Sequence, residues 1–360
     1  MSGFPEGSAI VYCEGAFGTT HGKTAHGLVR RTRRYKILSV IDSRRAGEDA
    51  GQVLEGKPCG IPLHADLDTA RASADVAGTP ATHFVIGLAP DGGRLPPEAR
   101  RAVESAIRAR LNVDSGLHDF LSEDSALAAL AAERGVRIRD VRKPPARGDL
   151  HFFDGKIDRV SAFRVAVLGT DSAVGKRTTA WLIADGLNAR GRHAELVGTG
   201  QTAWMQGVRH GIILDSIVND FVSGEIEHAV WSCWEETRPD VILLEGQGSL
   251  MNPAYPGGFE LLAAGRPHCV VLQHAPARRR YDGFPDHPLH PLERQIEAIE
   301  LISDRPVVAV TVNHEGLTPD ETRRACGEIR RRTGLPATDV LLDGADEVVS
   351  VLEQRLQERV

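Results

Sequence analysis

Residues 163–180 read FRVAVLGTDSAVGKRTTA. An apolar run is followed by a glycine-containing loop, by Gly175-Lys176 and by a segment compatible with a helix, which is the layout of a phosphate-binding P-loop. In such a loop, backbone N–H groups surround a phosphate, the positive end of the next helix faces it, and the lysine adds a cation. The stretch therefore predicts a buried strand, a phosphate site and a helix.

The loop departs from the standard P-loop pattern at two positions. Thr170 stands where the pattern has its first glycine, and Arg177 stands where the pattern has a serine or threonine. An ordinary glycine-containing turn between a strand and a helix is the alternative. We predict a cofactor phosphate site formed by Gly169, Thr170, Asp171, Ser172, Ala173, Val174, Gly175, Lys176, Arg177, Thr178 and Thr179.

The composition predicts a cytoplasmic protein of two domains. The 360 residues suffice for two hydrophobic cores. The N-terminal sequence lacks the features of a signal peptide, no apolar stretch approaches membrane-spanning length, and basic clusters such as 278–280 are short. We expect no membrane and no nucleic-acid partner. The five cysteines are isolated, which argues against a zinc site or a disulfide framework.

Short apolar runs alternate with helical patterns along the whole chain, which predicts an α/β fold with mostly parallel sheets. Pro144, Pro145 and Gly148 interrupt regular structure, so we place a domain boundary near residue 150. The apolar runs of residues 1–150 predict a Rossmann-like domain. Residues 151–360 are expected to form the P-loop domain, with strands near 163–168, 194–198, 241–245, 269–273, 307–312 and 338–341.

An acidic residue ends the predicted strand 241–245. Glu245 is followed by Gly246-Gln247-Gly248, a flexible turn. In P-loop folds, an acid at the end of a neighbouring strand commonly holds Mg²⁺ or orients a nucleophile. If the protein depends on ATP and Mg²⁺, Thr178 and Glu245 are the predicted metal ligands. The alternative is a strand-end acid that bonds to the following turn.

A second glycine-rich stretch, residues 197–207, follows the predicted strand 194–198. We expect a loop here that can approach a ligand closely and hydrogen-bond to it. Gly200, Gln201 and Thr202, together with Gln247, are the predicted substrate contacts.

Polar residues also follow the last two long strands. His274 ends one of them and is either a base or a strand-end histidine without a catalytic role. Arg278 could bind a carboxylate by paired hydrogen bonds, although a solvated arginine run is an equal alternative. Asn313, after the strand 307–312, could bind a cofactor base by donating and accepting hydrogen bonds, or form a turn.

The first unit has its own glycine-rich loop, residues 15–24, followed at the next strand end by Asp42. It resembles a P-loop with incorrect glycine spacing, or a dinucleotide loop in which Asp42 would bind a ribose. Because the glycines fit neither pattern, both signals are weak.

The loop GTDSAVGK and the turn EGQG resemble those of dethiobiotin synthetase and its P-loop relatives. A wider match, over both domains, is to a two-domain P-loop family catalogued as a domain of unknown function. The motifs that carry it are APDGGRLP, SGLHDFL, DVRKPP, GTDSAVGK, TGQT and EGQGSLMNP, at 89–96, 115–121, 140–145, 169–176, 199–202 and 245–253. Some members of that family are D-glutamate N-acetyltransferases. The resemblance implies a Rossmann-like domain, a P-loop domain and possession of that activity.

Three functions remain open on the sequence. In an N-acetyltransferase, the loop would bind the phosphates of acetyl-CoA, Glu245 or His274 would be the base, and Lys176 would stabilise an oxyanion. In a kinase or ligase, Lys176 and Mg²⁺ would stabilise a phosphoryl group of ATP transferred to a carboxylate. A nucleotide-binding regulatory protein would show no turnover. We expect a small amino-acid or carboxylate substrate and, from base rates, a homo-oligomer.

Overall fold

The computed structural model describes residues 5–358, and the chain divides into two compact units. One unit comprises the chain up to Pro144 together with Gln201–Gly207. The other comprises Pro145–Gly200 and the chain from Val208 onward. The sequence analysis placed the boundary near residue 150 and did not foresee that a short internal segment joins the first unit.

The first unit contains a parallel sheet with helices between its strands. The strands are β1 (Gly7–Tyr12), β2 (Tyr35–Ile41), β3 (Leu63–His64), β4 (His83–Ile86), β5 (Asn112–Ser115) and β6 (Ile138–Asp140). The helices are α1 (Lys23–Arg30), α2 (Ala50–Glu55), α3 (Leu67–Val76), α4 (Pro97–Arg108) and α5 (Ser125–Arg134). The strand order is β3-β2-β1-β4-β5-β6, which is the order of a doubly wound dinucleotide-binding sheet. The expectation of a Rossmann-like domain is confirmed.

The second unit is built on a larger parallel sheet. Its strands are β7 (Phe163–Gly169), β8 (Ala194–Gly198), β9 (His210–Gly211), β10 (Val241–Glu245), β11 (Cys269–His274), β14 (Val307–Val312) and β15 (Ala337–Thr338). Two further strands, β12 (Arg280–Tyr281) and β13 (Phe284–Pro288), form a separate antiparallel pair. Its helices are α6 (Lys176–Ala189), α8 (Asn219–Thr237), α9 (Phe259–Gly265), α10 (Leu292–Ser303), α11 (Pro319–Thr333) and α12 (Asp346–Gln357).

The order of the second sheet, β15-β14-β11-β7-β10-β8-β9, places the P-loop strand in its interior. All seven residues of β7 are buried, as the apolar run 165–168 predicts for a parallel strand covered on both faces, and the buried Arg164 donates to the Val160 and Arg266 carbonyls. Glu245 lies in register with Val167 on β7, and Gln273 lies in register with Gly169. The carboxyl ends of β10 and β11 therefore lie on either side of the predicted phosphate loop.

Local sequence signals explain where the helices of this unit begin and end. Thr318 and Glu321 exchange hydrogen bonds in a capping box at the start of α11, and Pro319 occupies its first turn. Gly334, at φ +72°, ends the same helix in the left-handed conformation.

The loop expected over residues 197–207 is only partly a loop. Gln201–Met205 forms helix α7, which packs on α1 in the first unit. Long-range contacts, such as the bond from Gln206 Nε2 to the Gly27 carbonyl at 2.7 Å, stabilise this segment. The glycine content of the segment gave no indication of these contacts.

Over residues 5–358, the structure has no helix long and apolar enough to cross a membrane.

Candidate functional site

The segment between β7 and α6 forms a tight loop at the N-terminus of α6. Gly175 has φ +104°, which glycine adopts without strain, and Ala173 has φ +51°. The Thr170 N–H donates to the Gln273 carbonyl at 2.9 Å, which fixes the start of the loop to β11. Among the described residues, no side chain caps this 14-residue helix. Its N-terminal N–H groups and positive dipole end are thus available to an anion.

Lys176 is folded back over the loop. Its Nζ donates to the Asp171 carbonyl and to the Gly248 carbonyl, both at 2.8 Å. The side chain is 7% exposed, and burial lowers the pKa of the ammonium from 10.5 to about 8, against the opposing effects of Glu245 and Asp171. An ammonium that is already desolvated and held by two neutral carbonyls can transfer its hydrogen bonds to a phosphate.

Glu245 is buried at the end of β10 and faces two cations. Its Oε1 lies 3.7 Å from Arg177 NH1, at side-chain exposures of 8% and 25%. Burial raises the pKa of Glu245, while Arg177 and then Lys176 act in the opposite direction. The Oε2 atom is buried and has no hydrogen-bond partner among residues 5–358. This oxygen can accept from a hydrogen-bond donor or a cation, but not from a phosphate.

Asp171 is the centre of the hydrogen-bond network that shapes the loop. The side chain is fully buried and accepts from four groups: the Ser172 N–H at 2.7 Å, Asn252 Nδ2 at 2.9 Å, Arg278 NH1 at 3.0 Å and the Asp282 N–H at 2.8 Å. The carboxylate is thus saturated by protein donors. Its role in the predicted phosphate site is to fix the loop.

Side chains at the ends of β11 and β14 hold the other side of the loop. The Thr170 hydroxyl and His274 Nδ1 share a hydrogen bond of 3.0 Å, and Asn313 Nδ2 donates to the Val174 carbonyl at 2.8 Å. Gln273 Oε1 accepts from the Thr179 and Thr311 hydroxyls at 2.5 Å each. Burial lowers the pKa of His274 to about 4, so its imidazole is neutral at neutral pH. The amide of Asn313 binds the loop, and a contact with a cofactor base stays a prediction.

The turn after Glu245 is constrained by close backbone packing. Gly248 has φ +54°, and a Cβ at this position would lie 2.0 Å from the Tyr255 carbonyl oxygen. Gln247 Nε2 donates to the Thr199 carbonyl, and the Thr199 hydroxyl donates to the Glu245 carbonyl at 2.8 Å. The Ser249 hydroxyl is buried and finds no hydrogen-bond partner in the described part of the chain.

The predicted substrate contacts fall in both units. Gly200, Gln247 and Arg278 belong to the second unit, whereas Gln201 and Thr202 belong to the first, where the Thr202 hydroxyl shares a 3.1 Å hydrogen bond with Thr24. Arg278 donates to Asp171 and to the Ser172 carbonyl at 2.7 Å, and it pairs with Glu315 at 2.7 Å. Binding a substrate carboxylate would require its guanidinium to give up these contacts.

A cleft of about 410 Å³ lies in the second unit beside His274. Its lining is mixed, with apolar side chains such as Leu289 and Ile329 and charged ones from the exposed face of α11. Arg279 and Arg324 line it, and neither side chain forms an ion pair or hydrogen bond with any residue of 5–358. Its volume is typical of a small-molecule site. Sequence analysis did not identify this cleft, because its walls come from segments far apart in the chain.

In the first unit, the Asp42 carboxylate accepts from the Phe17 N–H at 2.9 Å and the Arg44 N–H at 3.1 Å and is 1% exposed, so its local bonds already account for it. In the described residues, no group of three or more His, Cys, Asp or Glu is arranged to hold a metal ion.

Sequence analysis missed Asn252, whose side-chain amide donates to Asp171. An Asn-Pro pair in a sequence indicates only a turn.

Comparison with known proteins gives consistent matches over both units. A domain of unknown function described as the DUF1611 C-terminal P-loop domain matches residues 151–349, and the corresponding Rossmann-like N-terminal domain matches residues 43–144. A crystal structure of a DUF1611 family protein from Anabaena variabilis is 28% identical, with a TM-score of 0.88 over 97% of this chain and 100% of that chain.

Two curated relatives carry an enzyme name. A D-glutamate N-acetyltransferase of Tritonibacter scottomollicae is 32% identical over 327 residues, which cover 88% of this chain and 93% of the relative. A protein of the same name from a Pseudoalteromonas species is 31% identical over 278 residues, covering 76% and 81%. The prediction of an enzyme is supported, and the family resemblance is confirmed. The chain belongs to the DUF1611 family, with a Rossmann-like N-terminal domain and a P-loop C-terminal domain.

Proposed function

We propose that the protein transfers acetyl from acetyl-CoA to the amine of an acidic amino acid such as D-glutamate, and that the P-loop binds the diphosphate of the cofactor. The observation that carries the proposal is the loop itself, where the Lys176 ammonium and the uncapped start of α6 converge. The names of the two curated relatives support the acetyl-transfer chemistry.

The length of CoA restricts what the loop residues can do. The pantetheine arm between the diphosphate and the thioester is about as long as four extended peptide residues, roughly 14 Å. With the diphosphate in the loop, Lys176 and Glu245 would therefore bind and position the cofactor and would not touch the acetyl group. This reassigns both from the catalytic roles that the sequence analysis suggested.

The cleft beside His274 is our candidate acceptor site. It runs along α11 from Glu321 to Arg332, a distance of about 16 Å at 1.5 Å per residue. An acidic amino acid has two carboxylates and one ammonium group. The Arg279 and Arg324 guanidiniums could bind the carboxylates, and the acidic residues that line the same cleft could attract the ammonium.

Transfer requires the acceptor amine to lose a proton and attack the thioester carbonyl. The new C–N bond forms as the C–S bond breaks, and the CoA thiolate leaves and takes up a proton. His274 lines one end of the cleft, but its 3.0 Å bond to Thr170 keeps it beside the loop, and burial lowers its pKa to about 4, so it is poorly suited as the base that the sequence suggested. The amine proton would pass to water or to a carboxylate of the cleft such as Glu328.

The direct test is a mass-spectrometric assay with acetyl-CoA and a panel of D- and L-amino acids. We expect an N-acetylated product and equimolar free CoA with an acidic acceptor, and strongly reduced product from Lys176→Met. If no acceptor is acetylated by a folded protein that binds acetyl-CoA, the proposed reaction is wrong.

ATP-dependent carboxylate activation is the second candidate. The unsatisfied Glu245 oxygen favours it, because a carboxylate at this strand end could hold the Mg²⁺ that accompanies a triphosphate. Release of ADP or phosphate from ATP, dependent on a carboxylic acid, would support this candidate over acetyl transfer.

A further inference from the structure

In P-loop enzymes that use Mg²⁺, the metal is held by the hydroxyl directly after the loop lysine and by an acidic residue at the end of a neighbouring strand. The residues of this chain do not fit that arrangement. Arg177 occupies the hydroxyl position, and its NH1 lies 3.7 Å from Oε1 of the strand-end acid Glu245.

The threonines that follow do not restore the metal ligand set. Thr178 is one residue later on the helix and is therefore turned by about 100° from the standard position. The Thr179 hydroxyl is buried and donates to Gln273 Oε1 at 2.5 Å. Arg177 already pairs with the acid that would hold the metal, so Mg²⁺ at Glu245 would have to bind next to a guanidinium of the same charge sign.

We propose that this loop binds a diphosphate diester without a divalent cation, with the Arg177 guanidinium in the place that Mg²⁺ takes in P-loop NTPases. The inference rests on the proposed function and narrows its ligand class. A guanidinium has one positive charge fewer than Mg²⁺, so the site suits a ligand of lower charge. The diphosphate of CoA has two negative charges, whereas the triphosphate of ATP has about four near neutral pH, which requires more compensation.

In this arrangement, Glu245 positions the Arg177 guanidinium beside the loop. Its carboxylate holds Arg177 beside the loop through one oxygen, and its second oxygen remains unsatisfied. When a phosphate approaches, Arg177 can bridge the carboxylate and the ligand, because a guanidinium has five N–H donors in a planar fork. A lysine at this position would supply the charge but fewer fixed donors.

The test is calorimetric titration of the whole protein with acetyl-CoA and with ADP, each in EDTA and in excess Mg²⁺. We expect the wild-type affinity for acetyl-CoA to agree within about twofold between the two buffers, and ADP, which itself chelates Mg²⁺, to bind no more tightly in Mg²⁺ than in EDTA. Arg177→Ser, which restores the standard hydroxyl, should bind about tenfold more weakly in EDTA and regain affinity with Mg²⁺. Arg177→Lys should keep binding that is independent of Mg²⁺.

Arg192→Ser is the matched control. Arg192 follows the far end of α6, about 20 Å along the helix from the loop, and pairs with Glu353 at 3.7 Å. Its loss should leave both affinities unchanged. The wild-type comparison needs no variant, so it remains decisive if Arg177→Ser fails to fold.

The outcomes separate this inference from the proposed function. Wild-type binding that is more than about tenfold tighter in Mg²⁺ than in EDTA would overturn the inference without touching acetyl transfer. ADP that binds in EDTA and no more tightly in Mg²⁺, with no binding of acetyl-CoA, would support a metal-independent diphosphate site and overturn the proposed acetyl transfer.

Discussion

Replacing Lys176 by methionine should separate ligand binding from folding. Methionine keeps most of the volume of the buried side chain and removes its charge. The ammonium donates to the backbone carbonyls of Asp171, in the loop, and of Gly248, in the turn after β10. Its loss should weaken the binding of any diphosphate, whether from CoA or from a nucleotide.

The size of the binding effect follows from the bond that is lost. A hydrogen bond to a charged group contributes about 1.5–3 kcal/mol, which corresponds to a loss of roughly 10- to 100-fold in affinity.

The effect on folding works in two directions. The fall in the Lys176 pKa from 10.5 to about 8 means that burying the charged form costs about 3 kcal/mol. This cost is fully present at pH 7, below both values, and it disappears as the pH rises from about 8 to 10.5. Methionine removes it but leaves two carbonyls without their donor, at about 1 kcal/mol each. Stability at pH 7 should therefore change by no more than about 2 kcal/mol.

Both quantities are measured on the same preparation. Titration calorimetry gives the affinity for acetyl-CoA and for ADP, and differential scanning calorimetry gives the melting temperature. We expect the affinity to fall at least about tenfold and the melting temperature of the free protein to shift by no more than about 5 °C. A Lys176→Met protein that melts normally and binds both ligands as tightly as wild type would refute the assignment of the loop as the phosphate site.

Three further predictions follow from the same geometry. Above pH 8, wild-type affinity for ADP should fall by up to about tenfold per pH unit, because the free protein loses the Lys176 proton that the bound anion retains, and Lys176→Met should show no such slope in calorimetry. Arg324→Gln should raise KM for the acidic amino acid about tenfold and leave KM for acetyl-CoA unchanged in steady-state kinetics. Gly248→Ala should destabilise the protein by about 2 kcal/mol or more in urea unfolding, because its Cβ would meet the Tyr255 carbonyl; Gly191→Ala, also at positive φ but with open space around it, should cost less.

Sequence analysis predicted most of the fold because its signals were local. The apolar run 165–168 and the Gly175-Lys176 pair identified the central strand, the loop and the start of α6. The short strands β3, β9 and β15 contain two residues each, too few for a periodic pattern. Of these three, sequence analysis predicted only β15, and it placed that strand at 338–341. It did not predict the antiparallel pair β12–β13. Helix α7 was missed because its packing partners lie far away in the chain.

The candidate site was predictable in its residues but not in their roles. The chemistry of each side chain follows from the sequence, whereas its partner follows from the folded register. Asp171 and Arg278 illustrate the difference, since neither residue type reveals that the two form a partly buried ion pair 3.0 Å apart. The sequence therefore predicted Arg278 as a substrate contact, and the structure places its guanidinium in the framework of the loop.

The partners of Asp171 also bear on how the loop binds a ligand. Asn252, Arg278 and Asp282 reach it from three separate segments, so the loop is held from outside rather than by a phosphate within it. A loop that is already ordered pays little conformational entropy when the ligand arrives. Lys176 then exchanges two neutral carbonyl acceptors for a charged one, and this exchange favours the anion. The affinity of the site thus depends on residues that never touch the ligand, and Asp171→Asn, which puts an amide donor among four donors, should weaken diphosphate binding even though Lys176 is intact.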